Sequence, residues 1–192
     1  MLTKISWILA TAVLSDFHNP STELRKVYAY GCELFLYTII STLGLLMIGI
    51  AINQLSNTVI VIVIFYLCQS NGGGYHATTH TRCFLTMSVG LLFSLLLIHA
   101  GLSSTFYVAL LLLSTVALMA FPLHLHPNKH YMSKCIIKVT VRSRLITVCI
   151  AFGIIVIYAC TSNQIIRSGS VAMFVSSLSR IYACLENARN DM

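Results

Sequence analysis

Reactive side chains are densest in the segment Asn71-Gly72-Gly73-Gly74-Tyr75-His76-Ala77-Thr78-Thr79-His80-Thr81-Arg82-Cys83. His76 and Cys83 are what nucleophilic catalysis requires, a thiol and an imidazole able to take its proton. A neighbouring imidazolium lowers a thiol pKa from about 8.5 by several units, so that thiolate exists at neutral pH. Arg82 adds to that positive field where it turns toward the sulfur. Three successive glycines cost a helix about 1 kcal/mol each relative to alanine. They suit a sharp turn or the close approach of another backbone, such as a peptide substrate. Spacing sets a constraint. Seven residues of unbroken helix return both side chains to one face, but about 10 Å apart along the axis. A working pair must meet at roughly 3–4 Å. Three solutions are open: the backbone folds back between them, the third span begins later than residue 80, or the pair forms across two subunits.

Competing chemistries are weaker. His76 and His80 stand four apart, as helical metal ligands do, but the zinc-protease pattern H-E-x-x-H needs Glu where Ala77 stands. No carboxylate occurs between Glu33 and Glu186, so no metal is expected. His80 reads as a residue at a helix start. His124, His126 and His130, with Lys129, read as an interfacial loop stiffened by Pro122 and Pro127. Cys135, beside Lys134, lacks a glycine-rich approach. The seven cysteines are odd in number and contain no C-x-x-C, which argues against a disulfide framework or a structural zinc site.

The elements that must position these residues are apolar. Of 192 residues 57% are apolar and 9% charged, with mean hydropathy +0.86. So few charges cannot cover a water-facing surface, and the same numbers exclude disorder. A crossing helix takes about 20 apolar residues. The expectation is one all-α, polytopic integral membrane bundle over residues 1–192, with five to six transmembrane helices and an N-terminal interfacial amphipathic helix. Residues 1–15 read as that retained amphipathic helix rather than a cleaved signal. Residues 16–33 form a surface helix opened by Asn19-Pro20-Ser21. Spans are predicted at 34–52, 54–68, 84–100, 105–121 and 145–161. Uncharged turns lie at 53–57 and 101–104, and a long polar loop at 122–144. Residues 170–185, Ser-rich and carrying Arg180, are a sixth span or another interfacial helix. Gly44 and Gly49 give the first span small residues suited to helix–helix contact.

The net charge is +7. Alternating sides along these spans gathers Lys4, Arg25, Lys26, Arg82, Lys129, Lys134, Lys138, Arg142 and Arg144 on one side, which should be cytoplasmic. Arg167 is the exception. Cations placed between apolar runs suit lipid headgroups and acidic peptides, not nucleic acid.

With Gly73-Gly74-Tyr75-His76-Ala77 followed by Cys83, and with similar length, order of apolar segments and basic loop Phe121–Lys129, the sequence resembles the AgrB (accessory gene regulator B) family. These are bacterial membrane cysteine endopeptidases that process AgrD-type precursors of cyclic autoinducing peptides. The resemblance implies His76 and Cys83 as the catalytic pair, with Gly73, Gly74, Tyr75, Arg82 and Lys129 toward the substrate and no cofactor. It implies a precursor with an amphipathic N-terminus and an acidic C-terminal tail. It also implies a homodimer in the cell membrane, its site at the cytoplasmic face, and an acyl-enzyme thioester resolved by cyclisation to a thiolactone or lactone. Many members carry an arginine a few residues before the glycine pair, where this sequence has Gln69-Ser70-Asn71-Gly72. A reading from another class is a peptide transporter or export component that holds an anionic peptide without cleaving it. Transporters commonly show paired repeats and charges at depth; here no repeat is visible and only Arg180 falls at depth.

Overall fold

The computed structural model describes residues 2–15, 21–72, 79–121, 133–160 and 163–190. Among these there are seven helices and no strand: α1 (Leu2–Val13), α2 (Thr22–Ala51), α3 (Leu55–Gly72), α4 (His80–His99), α5 (Ser104–Ala120), α6 (Ser133–Cys160) and α7 (Asn163–Asn190). The fold is all-α, and its contacts divide the chain into two compact units, 1–48 and 49–192.

In the first unit, Ser6, Ala10 and Leu14 form a buried stripe at four-residue spacing along α1, while Trp7, Ile8 and Val13 are exposed. Ser21 starts α2, its Oγ accepting the Leu24 N–H at 3.2 Å. The first turn carries Glu23, favourable at the positive end of a helix. The expected surface helix and first span are instead one thirty-residue helix, about 45 Å long. Between Leu24 and Leu34 Gly31 is the weakest helix former, and one glycine does not stop a helix.

In the second unit, tight turns end α2 and α4. Asn53 takes φ 56°; its N–H reaches Ile50 O at 3.0 Å while the Gln54 N–H reaches Gly49 O at 2.8 Å. These are the two bonds by which a left-handed residue closes a helix end. Gly101, at φ 61°, takes the same left-handed conformation after α4, its N–H reaching Ile98 O at 3.3 Å. Ser103 then caps α5, accepting the Phe106 N–H at 3.3 Å.

Long-range hydrogen bonds fix the topology. Near these turns, Asn57 Oδ1 accepts from Gln164 Nε2 and Ser168 Oγ, each at 3.0 Å, and Ser104 Oγ donates to Asn163 Oδ1 at 3.2 Å. At the opposite end, Gln69 Nε2 donates to Ser179 Oγ at 2.8 Å. There too, Arg180 Nη1 donates to Leu118 O at 2.6 Å. Helices α3, α5 and α7 therefore run parallel, and α4 and α6 return between them. One end of the bundle holds the tight turns, the other the longer connections.

Packed against α3, α4, α5 and α6, α7 is the central helix. Ile166, Ser168, Ser170, Val171, Ala172 and Met173 are fully buried on it, and Ser176, Ser177, Arg180 and Ala183 nearly so. The apolar tail is thus covered by protein on several sides, unlike a helix lying on a surface. Several buried hydroxyls here and on neighbouring helices are satisfied locally: Ser94 donates to Gly90 O at 2.7 Å, Ser114 to Leu110 O at 2.6 Å and Ser176 to Ala172 O at 2.8 Å, whereas Ser170 Oγ has no partner among the described residues. Small hydroxylic residues let helices approach closely without leaving polar atoms unpaired.

Outside, the polarity is inverted relative to a protein in water: Leu96 is 70% exposed and Phe152 67%. Three helices, Thr22–Ala51, His80–His99 and Ile137–Cys160, are long and apolar enough to cross a membrane. Two boundaries differ from expectation. Residues 133–144, predicted as loop, are helical, because Lys134, Lys138 and Arg142 at four-residue spacing are good helix formers. The third span begins at His80 rather than Phe84 because Thr79 caps it there.

Candidate active site

Thr79 has extended backbone, φ −130° and ψ 147°, and its side chain starts α4. Its Oγ1 accepts the Arg82 N–H at 3.3 Å, and its carbonyl accepts the Cys83 N–H at 3.0 Å. Two of the donors that every helix start leaves free are thereby satisfied. Cys83 lies in the first turn, half-buried, while His80, Thr81 and Arg82 are exposed. The six described cysteines, Cys83 among them, carry free thiols.

Buried residues along α4 are Ser88, Leu91, Ser94, Leu95 and Ile98. Cys83 lies two turns before Gly90, where a Cβ would meet Val175 of α7 at 3.5 Å. Two turns return nearly the same direction, so Cys83 lies on the flank of α4 that looks toward α7. The N-terminal end of α4 contributes partial positive charge, and Arg82 adjoins it.

The break at Thr79 bears on the spacing constraint. His80 is the first helical residue, so His76 and Cys83 do not share an unbroken helix, and the 10 Å separation of that geometry does not apply. The same break removes the one-face presentation of His76 and His80 on which a helical metal pair would depend. Among the described residues no three His, Cys, Asp or Glu side chains gather as metal ligands.

Of the residues singled out in the sequence, Arg82 and Cys83 are brought together in the first turn of α4. His76, Gly73, Gly74, Tyr75, Lys129 and the loop histidines 124, 126 and 130 lie outside the described residues. Gly49 is taken up within the chain, where a Cβ would collide with the Thr58 side chain. Sequence reasoning missed Thr79, although a Thr immediately before an apolar run is a cap signal. It also treated Arg180 as a mark of depth only; that side chain is 2% exposed.

An apolar-surfaced, all-helical chain with a serine-rich interior and a free thiol at one end of the bundle defines a class, the helical membrane-associated proteins. Within that class the model for accessory gene regulator B matches residues 5–180, and the chain belongs to the AgrB family. The family takes part in processing the accessory gene regulator autoinducer and is one of processing proteases. None of the curated proteins and none of the solved structures matches the chain.

Proposed function

We propose that the chain is a multi-pass membrane cysteine endopeptidase, a single peptidase domain over residues 1–192 with five to six crossing helices. It cleaves the C-terminal part from an AgrD-type propeptide at the cytoplasmic face. One observation carries the proposal: a free, half-buried thiol in the capped first turn of α4, within a chain matched to this family over residues 5–180.

His76 takes the Cys83 proton, and the sulfur attacks the carbonyl carbon of the scissile amide. The tetrahedral intermediate collapses as its C–N bond breaks, and His76 returns the proton to the leaving amine. The C-terminal fragment departs, and its partner is held as a thioester on Cys83. A thiol or hydroxyl of the precursor then attacks that carbonyl. A thiolactone or lactone closes, and the Cys83 thiol is regenerated with the incoming nucleophile's proton. Exchange of one thioester for another conserves bond energy that hydrolysis would dissipate, and a site poor in water protects the intermediate. Gly73, Gly74 and Tyr75 offer the close backbone approach an extended peptide needs, while Arg82 and Lys129 meet its acidic tail. The active species is a homodimer in lipid.

The test uses purified protein in liposomes and a precursor whose ring-closing residue is Ala. An adduct with the mass of the N-terminal fragment should accumulate on Cys83 and be released by hydroxylamine. His80→Ala should form it and Cys83→Ala should not. Cleavage by Cys83→Ala, or inhibition by a chelator with resistance to alkylation, would overturn the assignment.

A further inference from the structure

Helix α6 has two unlike faces. Ser143, Thr147, Ala151 and Ile154 are buried against the bundle, and the Thr147 hydroxyl donates to Ser143 O at 2.9 Å. The opposite face carries a groove of about 510 Å³ lined by Ile137, Lys138, Val141, Arg142, Leu145 and Ile146. At about 100° of turn per residue these six point away from the buried four. Ile137, Val141 and Leu145 are more than half exposed, and Lys138 and Arg142 are exposed with them. The two cations stand one turn apart on one face, where like charges repel. Helices α3 to α6 hold no carboxylate to neutralise them, since none occurs between Glu33 and Glu186. Two cations facing away from the protein, without an acid on their own or the neighbouring helices, fit an anion from outside the chain.

Depth decides the kind of anion. The groove opens the apolar stretch Ile137–Cys160, 24 residues and long enough to cross a membrane. At 1.5 Å per residue that is about 36 Å, against roughly 30 Å of hydrocarbon. Arg142 lies only about 8 Å along the helix from Ile137, so both cations, on long flexible stems, reach the headgroup level. Deeper along the helix the groove is walled by Leu145 and Ile146, and the exposed face continues through Val148 and Phe152. Charge at the interface with hydrocarbon beneath it is the order of groups in a phospholipid. A peptide helix lying in the interface would instead need its polar and apolar stripes side by side at one depth.

We propose that this face of α6 binds an anionic phospholipid, its phosphate bridging Lys138 and Arg142 and an acyl chain lying along Leu145 and Ile146. The site needs α6 to cross the membrane and is independent of the chemistry at Cys83. Arg144, exposed on the same helix, is outside the groove and serves as the control.

The experiment places a single tryptophan in the groove. The chain has one native tryptophan, so full-length Trp7→Phe/Leu145→Trp protein is the parent. It is reconstituted in phosphatidylcholine vesicles holding a minor fraction of phosphatidylglycerol, with one lipid or the other brominated on its acyl chains. Brominated phosphatidylglycerol should quench the parent well beyond its mole fraction. Lys138→Gln and Arg142→Gln should each lower that preference by roughly fivefold, and the double variant should abolish it. Lys138→Arg and Arg144→Gln should keep it. Quenching that follows mole fraction in the parent, or a preference that survives the double variant, overturns the site. An equal loss in Arg144→Gln overturns it too, since the attraction would then belong to the whole cationic end. An acidic precursor peptide added in excess should leave the quenching unchanged; relief in the parent would assign the groove to the peptide instead. Should Leu145→Trp misfold, Val148→Trp, on the same exposed face and about one turn deeper, is the reporter.

Discussion

Thr79 has a large share in where the Cys83 sulfur sits, because its Oγ1 and carbonyl hold two of the N–H groups that begin α4. Losing such a cap costs about 1 kcal/mol, small against the stability of the whole bundle but concentrated in the turn that carries the proposed nucleophile. Thr79→Ala should lower the cleavage rate well beyond its effect on thermal stability, and Thr79→Ser, which keeps the acceptor, should restore both. Matching losses in the rate and in the melting temperature would mean that the cap matters only to the fold. The proposed nucleophile is a reading of residue types, glycines, His and Cys within thirteen residues, joined to the family resemblance. The obstacle of the seven-residue spacing was not removable from sequence, because it depended on one extended residue, Thr79, between the pair.

Among the elements, hydropathy placed the apolar bodies of α2 to α6 well because they face outward, with side chains such as Leu96, Val116 and Phe152 exposed. It undervalued α7 for a physical reason. A helix enclosed by four others favours small side chains over bulky apolar ones, so Ser168, Ser170, Ser176 and Ser177 depress its hydropathy while marking its burial. Contacts such as Arg180 with Leu118, 62 residues apart in sequence, leave no periodic trace, although Pro122 shows that a carbonyl in α5 must find another donor. Close packing also makes the α2–α3 turn testable. A Cβ at Gly49 would overlap the Thr58 side chain, and Thr58 is fully buried. Gly49→Ala should destabilise by about 1–3 kcal/mol, the usual cost of overpacking. Adding Thr58→Ala should recover much of that loss in a thermal or denaturant melt, since the two changes share one space and cannot be additive. Simple addition of the two losses would show that the turn relaxes elsewhere.

For the molecule as a whole, the bundle's two ends differ in charge, and that difference supplies an orientation. Arg82, Arg180 and Arg189 lie at the end opposite the tight turns, and Lys138, Arg142 and Arg144 lie in the half of α6 nearest that end. The turn end has Arg167, which stands 5.9 Å over the Tyr107 ring. A cation held over an aromatic face is partly satisfied by the protein and counts less as a free topogenic charge. On the proposed multi-pass reading, cytoplasmic retention of cations predicts the Cys83 end inside the cell, where a newly made precursor would be available, and the turns outside. An impermeant maleimide should label Leu102→Cys in intact cells, and Arg189→Cys only after permeabilisation, with each site read by peptide mass. The reverse pattern would place the thiol outside and deny it a cytoplasmic substrate. Labelling of both from outside would break the alternation of α5, α6 and α7 across the membrane, and with it the separation of a cation-rich working end from a cation-poor turn end.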